Sequence, residues 1–495
     1  MADTSLQIGD VYALQEKETG KWFAFQIVEL GEDYAVCIDM DYWSEMVPTE
    51  QDLNKMSYFR LNHHLWDNKI CQYSASTKYF PSHAQKVGNI DVRPFEEFKI
   101  FHNWPNGKQH KLTEKWEKLP KDQVSAFKEA LTKRNETIMV AGKEVKKNLY
   151  GIFDDTLSAV KDFSEFDILP GLGRITATKD YPQLIPFIER RCLIRELIWD
   201  NCQHRELDLS RTHLEEVEIS GECIESILLP SSIISLTLRG ILSPNLRIHS
   251  PKDGYFMVLR VELQDDFLPD VGLSRLTNLV LSNIKNFNLK DIPSRFPGLV
   301  WLGLAGHPGY IRDVAEISNL HELETLTIDD LFGFSADDFP LPKSFPQLRN
   351  LWIESIPAEA GKVIKKLYKG KIQDLLVLKL RSDEWLHENL NNPLRHWDGS
   401  EFVPKSKYTK SVALWKETRR RMIEETSHAE LDFSAVKRIA IDYAEGFNKL
   451  DRRSLFIETE EREDIFNAFE QILNETGLSE FKEEIIQLID EKRSW

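Results

Sequence analysis

Cysteine is scarce. The 495 residues hold five, Cys37, Cys71, Cys192, Cys202 and Cys223, with no C-x-x-C pair and none beyond position 223. A disulfide-stapled scaffold and a ribbon-type zinc site are excluded, which leaves reduced core cysteines in a cytoplasmic protein. Positive charge is short as well: 63 Lys and Arg stand against 80 Asp and Glu, a formal net charge of -17. This balance argues against nucleic acid or anionic membrane as the ligand and makes a basic protein the easiest partner to attract. Long apolar runs are missing. No stretch approaches the roughly 20 residues of a membrane helix, and the opening MADTSLQIGD lacks the basic and apolar regions of a signal peptide.

Catalytic signatures are absent too. The chain contains no G-x-S-x-G, no H-E-x-x-H and no phosphate-binding glycine motif; PGLGR (170 to 174) and GLAGHPG (303 to 309) are expected as turns. His63 and His64 are adjacent, and neighbours in a strand or helix point apart, so no metal site is expected there. Some leucine-rich bacterial effectors carry a C-terminal ubiquitin ligase domain with a nucleophilic cysteine, but no cysteine follows Cys223. Neither enzymatic activity nor any cofactor is expected.

What is present is a mixed α/β chain in four parts. Residues 1 to 95 carry the runs DVYAL, KWFAFQIVEL and YAVCIDM, broken by polar turns, as in a small antiparallel β-barrel or sheet. Residues 96 to 190 read as a helical connector and N-terminal cap, with Val124, Phe127, Ala130 and Leu131 on one helical stripe. From 387 to 495 the spacing of Val436, Ile439, Ala440, Tyr443, Phe447 and Leu450, and then of Ile465, Phe466, Phe469, Ile472 and Leu473 before Gly477, predicts helices. They either cap the central part or grip a partner.

Between 191 and 386 lies a repeat. LTNLVL, LVWLGL, LETLTI, LRNLWI and LLVLKL share one pattern, and their central Leu279, Leu302, Leu326, Leu351 and Leu378 fall 23, 24, 25 and 27 residues apart. That period marks a leucine-rich-repeat solenoid. Upstream, Leu197, Leu207, Val217, Ile227 and Leu236 recur about every ten residues, as if extended segments ran along both sides of a thin coil. The stretch SILLPSSIISLTLRG (226 to 240) is similar to short bacterial leucine-rich repeats. The family's asparagine ladder is absent: Ile284, His307, Leu331, Ile356 and Asp383 stand in its place.

Successive side chains of a strand leave on opposite faces, so residues between the buried leucines point to solvent on the concave side. Trp352, between Leu351 and Ile353, is one, and Trp301 is another; Asp329, Asp330, Asn350, Glu354, Lys379 and Arg381 fall in the same or adjacent columns. These eight residues form the candidate protein-binding face, an aromatic strip with a charged edge.

The N-terminus carries a second resemblance. In IGDVYALQEKETGKWFAFQIVEL (8 to 30), Gly9, Asp10, Val11, Tyr12, Ala13 and Leu14, followed by Phe23, Ala24, Phe25, Gln26, Ile27 and Val28, resemble the opening of the immunity protein 26 family, with Gln26 and Ile27 where the family usually has Gly-Arg. The resemblance implies a non-enzymatic bacterial immunity protein that binds a toxin domain and occludes it. The alternative is a leucine-rich-repeat scaffold or adaptor that recruits a cellular protein. Oligomeric state is not legible in the sequence.

Overall fold

A computed structural model of the chain describes residues 6–96, 101–133, 135–140, 142–428, 431–452 and 454–495. The apolar repeat folds into one long sheet of 11 strands, from Gly151–Ile152 to Asp374–Leu378, in which every neighbouring pair is parallel. A parallel pair needs a crossover between its strands. Here the crossovers are loops, short strands or single helices, so the chain coils. Leu279, Leu302, Leu326 and Leu351 stand in register on successive strands, and all four are fully buried.

The fifth strand of this series corrects the spacing. Leu351 pairs with Leu375, not Leu378, so the interval is 24 residues and the motif LLVLKL is entered three residues early. Leu378 is consequently exposed, while Val377 opposite Ile353 is buried. The leucine-rich run 375 to 380 offers two frames, and pairing with the preceding strand selects between them.

The ten-residue rhythm upstream has the expected cause. Glu206–Asp208, Ser226–Leu228 and Arg247–His249 form a second parallel sheet, each strand lying in sequence between strands of the long one. The long sheet itself starts before residue 191. Gly151–Ile152 and Arg174–Ala177 are its first strands, too short and too irregular in sequence to display the leucine pattern.

GLAGHPG is not a turn but lies inside the strand Trp301–Arg312. The ladder breaks there and resumes with Gly309 opposite Leu331. A Cβ on Gly309 would lie 1.8 Å from the Ile284 carbonyl oxygen, and one on Gly306 would lie 2.3 Å from that of Asp330. Glycine is required because three backbones converge at the irregularity. Where the family pattern has asparagines, Ile284, Leu331 and Ile356 are fully buried, extending the apolar interior.

The three N-terminal β-runs form strands as expected. They sit in a five-stranded antiparallel sheet, ordered Gln72–Ser76, Tyr34–Ser44, Trp22–Leu30, Asp10–Gln15, Gln85–Asn89. Both faces are covered: Tyr12, Leu14, Phe23 and Phe25 build one core, Val11, Ala24, Ile38 and Met40 the other. The helix Lys108–Glu117 closes the first side, stacking His110 on Phe59 at 3.9 Å and on Trp43 at 5.5 Å. The C-terminal helices have their own core, in which Val436, Tyr443, Phe447, Ile465, Phe469 and Ile472 meet. Four cysteines are buried and all five are free; Cys223, expected inside, is exposed.

Candidate protein-binding face

Parallel register arranges the outward side chains of the long sheet in rows. Trp301, Thr325, Asn350 and Asp374 make one row; Gly303, Thr327, Trp352 and Leu376 the next; Ala305, Asp329, Glu354 and Leu378 a third. Trp352 stands where the alternation of the strand requires, on the outer face, with 41% of its surface exposed. Its indole N–H donates to Asp374 at 2.9 Å, which fixes the ring beside Leu376. Leu376 and Leu378 are 42% and 43% exposed. Three large apolar side chains therefore share the face of the last two strands.

Polar groups border them. Glu354 is ion-paired with Lys379 at 2.7 Å, and Asn350 donates to Thr325 at 3.0 Å. Desolvation by its surroundings, with the negative charges of Asp330 and Glu354 added, pushes the Asp329 carboxyl up to about 6. Asp329 nevertheless keeps an exposed surface, so solvent screens part of this effect.

Two expected members do not belong to the face. Asp330 is only 8% exposed and carries a left-handed φ of 50°, which turns it off the outer column. Arg395 donates to it at 2.7 Å and reaches buried Ser355 at 3.4 Å. Arg381 is likewise drawn inward, donating to Ser355 at 3.1 Å and to Asp398 at 2.8 Å, with its guanidinium 4.1 Å from the ring centre of Trp385. Trp385 also stacks on Phe332. The segment that leads from the sheet to the C-terminal helices thus clamps onto the strand exits through two arginines. A cation facing a buried carboxylate answers the cost of burying either charge alone.

Trp301 and Trp352 do not form a continuous strip. They lie two strands and one row apart, and no ring contact joins them among the described residues. Trp301 is half-buried, its ring 5.8 Å from the Arg260 guanidinium and its indole nitrogen enclosed without a hydrogen-bond partner. The exposed aromatic of this face is Trp352. Sequence reasoning missed Leu376 and Leu378, since the three-residue frame error counted Leu378 as core and put Lys379 in the column that Leu376 occupies.

His63 and His64 do not point apart. His64 adopts φ of 50°, and the two Nδ1 atoms approach to 2.8 Å while His63 Nε2 meets Gln109 at 2.9 Å. Burial pushes both imidazoles down, His63 to about 4 and His64 to about 3, so both are neutral at pH 7. Among the described residues no three metal-binding side chains converge. Gln26, the departure from the immunity-family pattern, is buried: it donates to the Ile90 carbonyl at 2.8 Å and accepts from Tyr58 at 3.0 Å.

No family model matches the chain, and no curated protein matches it. Among solved structures, it is similar to human 5T4 (Wnt-activated inhibitory factor 1, trophoblast glycoprotein) at 14% identity over 38% of this chain and 78% of that chain, with a TM-score of 0.24. Among the described residues, no helix is long and apolar enough to cross a membrane.

Proposed function

We propose that the chain is a leucine-rich-repeat protein without enzymatic activity that binds a protein partner through the face centred on Trp352, and that it acts as a bacterial immunity protein in the cytoplasm, occluding a toxin domain. The observation that supports binding is the exposed cluster of Trp352, Leu376 and Leu378 bordered by Asp329, Glu354 and Asp374. Contiguous apolar surface with a polar rim is the composition of an interface centre. Its acidic border and the net charge of -17 favour a basic toxin, whose capture electrostatic steering accelerates. The immunity role rests on the resemblance of residues 8 to 30 to the immunity protein 26 family. Inhibition would be steric, with no turnover.

Capture from the native cell, comparing the wild type with Trp352→Ala/Leu376→Lys, tests this. A single toxic protein held by the wild type and lost by the variant supports an antitoxin, and co-expression must then protect cells from that protein. Several housekeeping proteins, lost together in the variant, would instead assign the chain to the scaffold or adaptor class. Equal retention by both proteins removes Trp352 from the interface.

A further inference from the structure

The entries of the long sheet's strands and the N-terminal sheet enclose a cleft of about 410 Å³. From the N-terminal side it is lined by Lys17, Tyr79, His83, Trp104 and Lys108; across the gap stand Phe256 and Arg349. None of these belongs to the Trp352 face. The volume lies within the range of small-molecule sites, which favour junctions between domains.

The charges in the cleft are unbalanced in an acidic protein. Lys17 pairs loosely with Glu324 at 3.6 Å, and Lys111 binds Glu18 and lies 3.8 Å from Glu16. The side chains of Lys108 and Arg349, by contrast, make no ion pair and no hydrogen bond among the described residues. Lys108 and Arg349 stand on opposite walls, with Glu16 the one carboxylate among the residues that line the cleft and Glu215 within electrostatic reach of Lys108. At His83 desolvation lowers the imidazole's proton affinity, and the charges of Lys17 and Arg349 lower it further against the pull of Glu324.

The backbone of the far wall is strained. Lys252, Asp253 and Phe256 take φ of 56°, 53° and 68°, left-handed values that non-glycine residues disfavour and that gather where a site needs a particular side-chain placement. Here the strained loop delivers the Phe256 ring to the cleft, facing a wall that contains Tyr79 and Trp104.

We propose that this cleft binds a small anion bearing a flat ring, of the nucleoside monophosphate class, with the phosphate between Lys108 and Arg349 and the ring against the aromatic wall. Aromatic side chains accept any base through its π-face, and guanidinium and ammonium groups hold phosphate through charge-assisted hydrogen bonds. Such a ligand touches both walls and tightens the contact between the two parts. The direct polar links beside the cleft are long: Lys252 to the Glu18 carbonyl and Gln373 to the Lys78 carbonyl, each 3.5 Å.

Isothermal titration of the full chain with AMP, adenosine and inorganic phosphate tests the assignment, alongside Lys108→Ala and Arg349→Ala. Both side chains are exposed and make no hydrogen bond, so the variants should fold. AMP should bind better than either fragment, and each variant should weaken it roughly tenfold or more, the expected loss of one charged hydrogen-bond partner. Absence of AMP binding at millimolar concentration, unchanged affinity in both variants, or phosphate binding as well as AMP would each overturn the proposal.

Discussion

Asp330 and Trp352 occupy neighbouring strands of one sheet and meet opposite fates. The aspartate is turned inward and ion-paired with Arg395, whereas the tryptophan faces solvent with one hydrogen bond and two exposed leucines beside it. The difference lies in how the chain returns over the sheet. At the strand exits it comes back as residues 381 to 398 and covers what it finds, while the outer face of the last two strands receives no such cover. One sheet is thus divided by its own chain into a structural part at the strand exits and an open part on the outer face.

The clamp gives the largest expected effect. Arg395→Ala leaves Asp330 buried without its cation and should cost about 3–5 kcal/mol in urea unfolding, as for a broken buried pair. A loss under about 1 kcal/mol would erase the distinction between clamp and face. Leu326→Ala, in the fully buried column both regions rest on, should cost about 2–5 kcal/mol by the same measurement.

A second buried carboxylate sharpens the contrast, because it has no cation to meet it. Asp39 lies 3.7 Å from His110, too far for a hydrogen bond, and burial pushes its carboxyl up to about 7 and the imidazole down to about 3. Tyr73 donates to it at 3.1 Å. Above the ordinary carboxylate range the folded chain retains a proton that the unfolded chain has released, so this contribution to stability is full at low pH and is lost as pH rises toward 7. Relative to Asp39→Asn, wild-type stability should fall across that window by up to about 1.4 kcal/mol per pH unit. Parallel curves for the two proteins would show that Asp39 is already ionised.

The two tryptophans supply the smallest effects on stability and separate the regions directly. Trp301→Ala should lower stability by about 1 kcal/mol, since a half-buried ring and a cation–π contact are lost. Trp352→Ala should change it by less than about 0.5 kcal/mol while weakening partner binding by about 2 kcal/mol or more. Equal melting losses in both variants would place Trp352 in the fold rather than at an interface.

Much of this architecture is legible in the sequence, because periodic burial leaves a periodic trace. Leu279, Leu302, Leu326 and Leu351 can be aligned by eye, and so can the helical stripes of Tyr443 and Phe469. The first strands, 151 to 152 and 174 to 177, are too short to carry a period. At the other end, consecutive leucines permit two frames, and only backbone pairing with Asn350–Glu354 puts Leu376 outside and Val377 inside. For the candidate face, alternation alone places Trp352 outward. It does not place Asp330 or Arg381, whose surroundings come from Ser355, Trp385, Arg395 and Asp398, and no local pattern connects positions 330 and 395.

The N-terminal sheet has a mechanical consequence. A stack of coils in which each turn touches only its neighbours flexes like a spring. Here one folded block reaches the stack at Lys252, Glu324 and Gln373, residues that precede the strands Val258–Glu262, Thr325–Phe332 and Asp374–Leu378. The same block packs Trp116 and Phe127 on Cys192 and Leu193, just before the strand Glu196–Trp199, so the stack is held along one border at both early and late coils. Bending the stack means sliding the block, so the stretch that displays Trp352 is coupled mechanically to the N-terminal sheet.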